Sequence, residues 1–420
     1  MKKFITISSF AITVFIIFAV TGCVKDTCKK TYSYTWFQPL YKTTAEIRGN
    51  IKSNAAKEIK APGKLFIIGN YIFLNEINKG IHVINNANPA APVNLSFIDI
   101  PGNIDIAVKG NILYADLYTD LVALDISNPL NVVKTNIVDN VFPERSYGFR
   151  ADSNKIIFDW AKHDTTVEEE CVQQARWFNG IGVIAPSADV NSSNKGFAGG
   201  FPTGIAGSMA RFAIVNNYLY TVGNSALKVF DITAGASPVI SNTVNLNGGI
   251  ETIYPFKDRL FIGSNAGMFI YNVANPLSPV QSGIFTHARV CDPVIADDNY
   301  AFVTLRNGGQ CSGILNEMDV VDINNLNAPF LLKKYDLVNP FGLSKDGNLL
   351  FVCDGKAGLK IFDAANVNDI KLIKQISMST CYDVIAYNGV AIVVAVDGLY
   401  QFDYRSTNNI HQLSKINISK

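Results

Sequence analysis

Five charged residues lie at or near one point of a repeating sequence pattern, where the strand that opens each repeat begins. They are Asp105, Arg211, Glu251, Asp292 and Asp383. If these strands converge on an axis, their side chains form a ring able to hold a cation or hydrogen-bond a polar ligand. Arg211 would partly neutralise that ring and disfavours a calcium cage. An Asp at a strand start also commonly accepts backbone N–H bonds, so we favour an architectural role for the ring.

Hydrolytic chemistry has little support in the sequence. The four histidines are His82, His163, His287 and His411. None of them lies in a Gly-x-Ser-x-Gly, His-Glu-x-x-His or Cys–His context. A carboxylate pair for glycosidase chemistry could come from Glu251 and Asp292, which belong to adjacent repeats. A secreted glycan-active enzyme that uses these channel-mouth carboxylates is therefore the alternative to a non-catalytic protein.

The elements that would position these residues are short apolar strands in a unit repeated about every forty residues. Each unit has a strand that ends in Asp or Asn and is followed by a turn, as in LVALDISNPLNVV from Leu121. Strand signals at this period predict an all-β fold, a β-propeller of four-stranded antiparallel blades. Gly and Asn between the first two strands supply the left-handed conformations of tight hairpins.

The spacing of the terminal Asp or Asn predicts the number of blades. These anchor residues are Asn85, Asp125, Asp231, Asn272, Asp322, Asp363 and Asp403. The interval from Asp125 to Asp231 is more than twice the usual one, so we expect a further unit inside it. Its strands would lie in YGFRADSNKIIFDWA from Tyr147 and in GIGVIAPS from Gly180. We predict eight blades over residues 62–420, with seven as the alternative.

Two long insertions, residues 161–179 and 306–317, are expected between the second and third strands of their blades. In a propeller these connections leave on the same face as the ring, and insertions on one face commonly form the binding surface of a repeat protein. Thr165 and Glu168 have capping-box spacing, which predicts a short helix in the first insertion. Trp177 follows that helix and would either contact a ligand or pack on the blade.

The first residues have the organisation of an export signal. A basic start, an apolar stretch from Phe4 to Val20 and the small residues before Cys23 indicate a signal peptide over residues 1–22. The sequence Val-Thr-Gly-Cys is similar to a bacterial lipobox, which implies cleavage before Cys23 and acylation of that residue. Acyl chains there would anchor the protein to a membrane. Residues 23–61 would then be a lipid-anchored spacer and N-terminal extension.

Cysteine usage predicts disulfides rather than a metal site. The cysteines other than Cys23 are Cys28, Cys171, Cys291, Cys311, Cys353 and Cys381. This even number suits an oxidising compartment. Cys291 with Cys311 is the preferred pair and Cys353 with Cys381 the second, with free buried thiols as the alternative. No zinc-type spacing occurs, so we expect neither a metal nor a cofactor.

The repeated phrases and the stretch from about Pro62 to Pro143 resemble the LVIVD-repeat lipoproteins of Bacteroidetes-type bacteria. That resemblance implies a lipid-anchored propeller on the export pathway and brings no established activity. The formal charge of +1, from 36 basic and 35 acidic residues, argues against a nucleic-acid partner. We expect a non-catalytic binding or scaffold module on the bacterial envelope, in the outer membrane, that presents one loop-rich face to a protein or a glycan.

Overall fold

A computed structural model describes residues 29–146, 155–170, 205–246, 248–287, 293–307 and 315–419. The predicted signal peptide and Cys23 lie outside these residues. The chain divides into two compact units, Met1–Leu40 with Asp159–Pro186, and Tyr41–Phe158 with Ser187–Lys420. No helix in the described ranges is long and apolar enough to span a bilayer.

The first two blades follow a short N-terminal region. That region contains β1 (Lys29–Thr43), helix α1 (Thr44–Gly49) and β2 (Lys52–Ala55). The first blade contains β3 (Pro62–Ile68), β4 (Tyr71–Glu76), β5 (Gly80–Asn85) and β6 (Val93–Asp99). The second contains β7 (Ile106–Lys109), β8 (Ile112–Leu117), β9 (Asp120–Asp125) and β10 (Val133–Val138). A 3-10 helix (Pro143–Ser146), β11 (Lys155–Glu170) and β12 (Ile205–Ala206) come next.

Five more blades complete the second unit. The third contains β13 (Phe212–Val215), β14 (Tyr218–Val222), β15 (Ala226–Asp231) and β16 (Val239–Asn245). The fourth contains β17 (Ile250–Phe256), β18 (Arg259–Ser264), β19 (Gly267–Asn272) and β20 (Val280–Thr286). The fifth contains β21 (Val294–Ala296), β22 (Tyr300–Leu305), β23 (Glu317–Asp322) and β24 (Phe330–Asp336). The sixth contains β25 (Leu343–Asp346), β26 (Leu349–Cys353), β27 (Leu359–Asp363) and β28 (Lys371–Ile376). The seventh contains β29 (Cys381–Tyr387), β30 (Val390–Ala395), β31 (Gly398–Asp403) and β32 (His411–Asn417), with a 3-10 helix at Thr407–Asn409.

Within each blade the four strands, a to d in chain order, pair antiparallel with their neighbours. Strands b and c are buried on both faces because adjacent blades cover them. Six blades place an aromatic ring at the third position of strand b, and each ring is at most 1% exposed: Phe73, Tyr114, Tyr220, Phe261, Phe302 and Phe351. Strand d is more exposed, as in β24, which lies at the edge of its blade.

The anchor residues of the repeat are turn residues. In all seven phrases the Asp or Asn at the end of strand c accepts a hydrogen bond from the backbone N–H two residues later, at 2.8 or 2.9 Å. This local bond closes an Asx turn and starts the connection to strand d. The sequence repeat therefore records a turn that every blade needs.

The propeller fold is confirmed with the alternative count of seven blades, since the described residues form seven four-stranded blades, and the preferred count of eight is wrong. Residues 155–170 of the supposed extra blade form β11, which pairs with β1 and with no propeller strand. The helix predicted from Thr165 and Glu168 is also wrong over this range, since both residues lie in β11. Residues 161–170 thus belong to the connection between the second and third blades rather than to a b-to-c insertion. The strands expected at Tyr147 and Gly180, and Trp177, lie outside the described residues.

The first and last blades close the ring without exchanging a strand. Each of the two contains its own four consecutive strands. Across the closure Ser419 N donates to Ile59 O at 2.8 Å, and Gln401 Nε2 donates to Asn86 Oδ1 at 2.6 Å. Ile418 packs in the apolar cluster that the two blades share. The first blade also gains β2 beside β6, and β12 beside β3.

Candidate functional site

The centre of the propeller is occupied by the chain's own residues 205–210. β12 pairs with β3, the innermost strand of the first blade. Leu343 N of the sixth blade donates to Ser208 Oγ at 2.7 Å, and Ile253 N of the fourth blade donates to Ala210 O at 2.6 Å. One short segment thus bonds to three blades that are not neighbours, and Ser208 to Ala210 are buried. We call residues 205–210 the central segment.

A buried ion pair lies beside the central segment. Lys64 Nζ donates to Met209 O at 2.6 Å and lies 3.5 Å from Asp105 Oδ2. Asp105 also accepts from Arg211 N at 2.6 Å and from Ile106 N at 2.8 Å. Lys64 and Asp105 are 2% and 3% exposed, so solvent does not screen their charges. Asp105 is therefore committed to internal bonds, two of them to backbone amides.

Burial shifts the pKa of both members of this pair toward the neutral form. Desolvation raises the pKa of Asp105 to about 6, although the charge of Lys64 opposes that shift. Desolvation lowers the pKa of Lys64 to about 8, opposed by Asp105 and Asp383 and reinforced by Arg211. Both groups remain mostly ionised at neutral pH, at a cost in folding free energy.

Arg211 and Asp383, two other residues of the predicted ring, also make internal contacts. Arg211 Nε donates to the backbone carbonyl of Glu251 at 3.3 Å. The Asp383 side chain is buried, with its Oδ1 only 2.0 Å from the position that a Cβ on Gly342 would take. Asp292 lies outside the described residues. Two cations among these carboxylates do not favour a metal, and the described residues contain no group of three or more metal-ligating acidic, Cys or His side chains.

Lys64 belongs to the ring, but the sequence reasoning missed it. It precedes LFII in the first blade as Asp105 precedes IAVK in the second. Aligning the a-strands on the glycines of the following hairpins, Gly69 and Gly110, would have identified it.

One of the two predicted cysteine pairs is confirmed. Cys353 and Cys381 form a disulfide with a Cα–Cα distance of 5.0 Å. The bond joins the end of β26 to the start of β29, and so links the sixth and seventh blades. Cys291 and Cys311, the preferred pair, lie outside the described residues.

Another buried carboxyl, Asp319, lies in β23, the third strand of the fifth blade. Its nearest cation is Lys334, whose Nζ lies 3.8 Å from Asp319 Oδ1 and donates to Glu317 Oε1 at 2.6 Å. Desolvation raises the pKa of Asp319 to about 6, with Lys334 acting in the opposite direction. Burial therefore destabilises the ionised form of Asp319, and the arrangement does not form a ligand-binding geometry.

An open groove lies on the opposite face of the propeller, among the a-to-b hairpins and c-to-d turns of the first three blades. Its volume is about 670 Å³. Its apolar lining includes Ile68, Tyr71, Ile112, Ile126 and Pro129. The polar side chains at its rim are those of Lys109, Asn111, Ser127, Asn217 and Thr233.

Lys109 is the one lysine that lines this groove. Its Nζ donates to Asn216 O and to Asn217 Oδ1, both neutral acceptors. Partial burial lowers the pKa of Lys109. No carboxylate in the described part of the chain pairs with it, so within these residues the groove has a cation bonded only to neutral groups.

Three segments of the chain, residues 103–139, 206–246 and 290–337, match the LVIVD repeat. They correspond to the second, third and fifth blades. The chain therefore contains LVIVD repeats within a seven-bladed β-propeller. No curated protein matches the sequence.

Solved structures with the same fold have very different sequences. The periplasmic gluconolactonase PpgL of Pseudomonas aeruginosa is 12% identical, with a TM-score of 0.54 over 85% of this chain and 97% of that one. A protein from Lactobacillus plantarum is 15% identical, with a TM-score of 0.53 over 85% and 97%. The computationally designed protein Ika8 is 10% identical, with a TM-score of 0.50 over 86% and 89%. At such identities the likeness shows the propeller fold and no activity.

Proposed function

We propose that this LVIVD-repeat propeller is a non-catalytic binding module of the bacterial envelope, and that its ligand is an acidic glycan held in the groove of the first three blades. The observation that carries the proposal is the filled centre. The place where strands of all blades converge contains the central segment and an internal ion pair. A channel-mouth enzyme would need two carboxylates facing each other across an open cleft. Asp105 is instead buried and bonded to backbone amides.

The groove combines apolar and hydrogen-bonding groups of the kind that bind sugars. Sugar rings present apolar C–H faces, which the exposed part of Tyr71 and the aliphatic wall can cover. Amide and hydroxyl groups at the rim, such as Asn111, Asn217 and Thr233, can exchange hydrogen bonds with sugar hydroxyls. Lys109 adds a cation that no carboxylate of the described residues pairs with, which favours a uronic-acid residue over a neutral hexose.

We further propose that lipid on Cys23 tethers the protein to the outer membrane. This rests on the lipobox-like Val-Thr-Gly-Cys and on the resemblance to Bacteroidetes-type lipoproteins. A tethered binder gains from the high local concentration of envelope glycans, so modest affinity suffices. Either leaflet of the outer membrane is compatible with this role.

The test measures binding of the acyl-free chain to hexuronic-acid oligosaccharides and to neutral hexose oligosaccharides of equal length. We expect binding to the acidic series, with at least a tenfold loss in Lys109→Met. The matched control is Lys257→Met, which removes a lysine from the corresponding hairpin of the fourth blade. Equal binding of the neutral series, or full binding by Lys109→Met, would refute the acidic-glycan assignment. Capture of an envelope protein alone, lost in the same variant, would make the ligand a protein.

A further inference from the structure

The two strands of the first unit form a ribbon with two chemically different faces. Cross-strand side-chain bonds join Ser33 to Thr166 and Thr35 to Asp164, so β1 and β11 run antiparallel. These four residues define the face that we call polar, which also includes Phe37 further along β1. The opposite face of β1 contains Tyr32, Tyr34 and Trp36, because side chains alternate along a strand.

The aromatic face is exposed. Tyr32, Tyr34 and Trp36 are 50%, 52% and 42% exposed. Trp36 stacks on His163 with ring centroids 4.5 Å apart, and its Nε1 donates to Thr165 Oγ1 at 2.9 Å. An isolated two-stranded ribbon is marginally stable in water, and an exposed aromatic row usually marks a contact surface.

We propose that this aromatic face lies in the interfacial layer of the membrane that holds the Cys23 lipid. Tyr and Trp concentrate at that depth because the ring body is apolar and its edge forms hydrogen bonds. Asp164 and Glu168 lie on the polar face, beside Thr35 and Lys29, and would point to water. The inference rests on the proposed tether for its location.

The distance along the chain supports this occupant over a distant partner. Five residues, 24–28, separate Cys23 from Lys29, the first residue of β1, so six Cα–Cα steps join them. Even a fully extended chain spans only about 20 Å over that length, less than the thickness of a bilayer. Acylation of Cys23 would therefore keep the start of the ribbon beside the lipid headgroups. Weak affinity for the interfacial layer then suffices, because the acyl anchor keeps the ribbon at a high local concentration beside the membrane.

The experiment uses Trp36 as the only tryptophan, in a Trp160→Phe, Trp177→Phe background. The chain from Val24 to Lys420 retains every described strand and is mixed with vesicles of phosphatidylethanolamine and phosphatidylglycerol. We expect a blue shift of Trp36 emission, and quenching when part of the lipid carries bromine on its acyl chains. Tyr32→Ser with Tyr34→Ser should weaken vesicle binding at least tenfold.

The control pair, Ser33→Ala with Thr35→Ala, changes the polar face and should leave vesicle binding intact. Absence of quenching at any lipid concentration would overturn the proposal, as would equal losses in the two pairs. Self-association that is lost in the tyrosine pair, without quenching, would assign the face to a second copy of the chain and overturn the membrane contact.

The tether is measured separately, from the mass of the membrane-extracted protein and of its Cys23→Ser variant. An unacylated protein whose Trp36 is still quenched would refute the tether and keep the ribbon contact. An acylated protein without quenching would do the reverse.

Discussion

Replacing Lys64 with Met removes the cation from the buried pair beside the central segment. At pH 7.5 Asp105 would remain with its two backbone donors but without its counter-ion. Met209 O would also lose the ammonium that it accepts from. Removing one partner of a buried ion pair typically costs about 3 to 5 kcal/mol of unfolding free energy.

The raised pKa of Asp105 limits this loss of unfolding free energy and makes it depend on pH. A carboxyl whose pKa is raised from 3.8 to about 6 is destabilised when ionised by about 3 kcal/mol. That penalty is absent below pH 3.8, grows between pH 3.8 and 6, and is complete above 6. At pH 5 Asp105, with a pKa of about 6, is already mostly neutral in the folded wild type and stays neutral in Lys64→Met, so the substitution leaves little uncompensated charge. The buried ammonium, with a pKa lowered to about 8, is unfavourable at both pH values, so its removal offsets part of the loss at each. We therefore expect Lys64→Met to lower the unfolding free energy by about 3 kcal/mol at pH 7.5 and by less than about 1 kcal/mol at pH 5.

The assay is urea unfolding at both pH values for the wild type, Lys64→Met, Asp105→Asn and the double variant. The double variant should lose less than the sum of the single losses at pH 7.5, because neither charge is left alone. Equal losses at the two pH values, or additive losses, would refute the reasoning that this pair is a coupled buried unit.

Three further predictions concern stability. Cys353→Ser should lower the unfolding free energy by about 3.5 kcal/mol, because the disulfide to Cys381 closes a loop of sequence separation 28; thermal unfolding with and without reductant measures it. Gly342→Ala should cost about 1 to 3 kcal/mol in urea, because the new Cβ would lie 2.0 Å from Asp383 Oδ1. Asp319→Asn should stabilise the protein by about 1 to 3 kcal/mol at pH 7.5 and not at pH 3.5, because the raised pKa of Asp319 penalises only the ionised form.

Each of these predictions has a control. Reductant should destabilise the wild type more than it destabilises Cys353→Ser, because the variant no longer has the Cys353–Cys381 bond to lose. Gly49→Ala, with nothing within 4 Å of the added Cβ, should be neutral or slightly stabilising. An Asp319→Asn gain of equal size at both pH values would mean that charge is not its cause.

Much of the fold could be predicted from the sequence because the repeat records local interactions. Each anchor, such as Asp125, bonds to an amide two residues away, so its spacing directly counts c-to-d turns. Seven anchors predict seven blades, and the eighth came only from the long interval after Asp125. Hydrophobic strand signals in residues 155–170 do not reveal the partner strand, and Lys29 and Glu168, which bond across the ribbon, are 139 residues apart.

The candidate site was less predictable, because it depends on contacts between residues that are far apart in the sequence. Sequence alone identified the turn chemistry, the short apolar strands, the second disulfide pair and the shared position of Asp105, Arg211 and Asp383, because these follow from short-range pattern and repeat alignment. Only the tertiary structure decided that residues 205–210 fill the centre, that Lys64 joins Asp105, and that the open groove lies on the opposite face. Those facts depend on contacts between blades, where burial fixes which charges must pair, and no spacing along the chain encodes that burial.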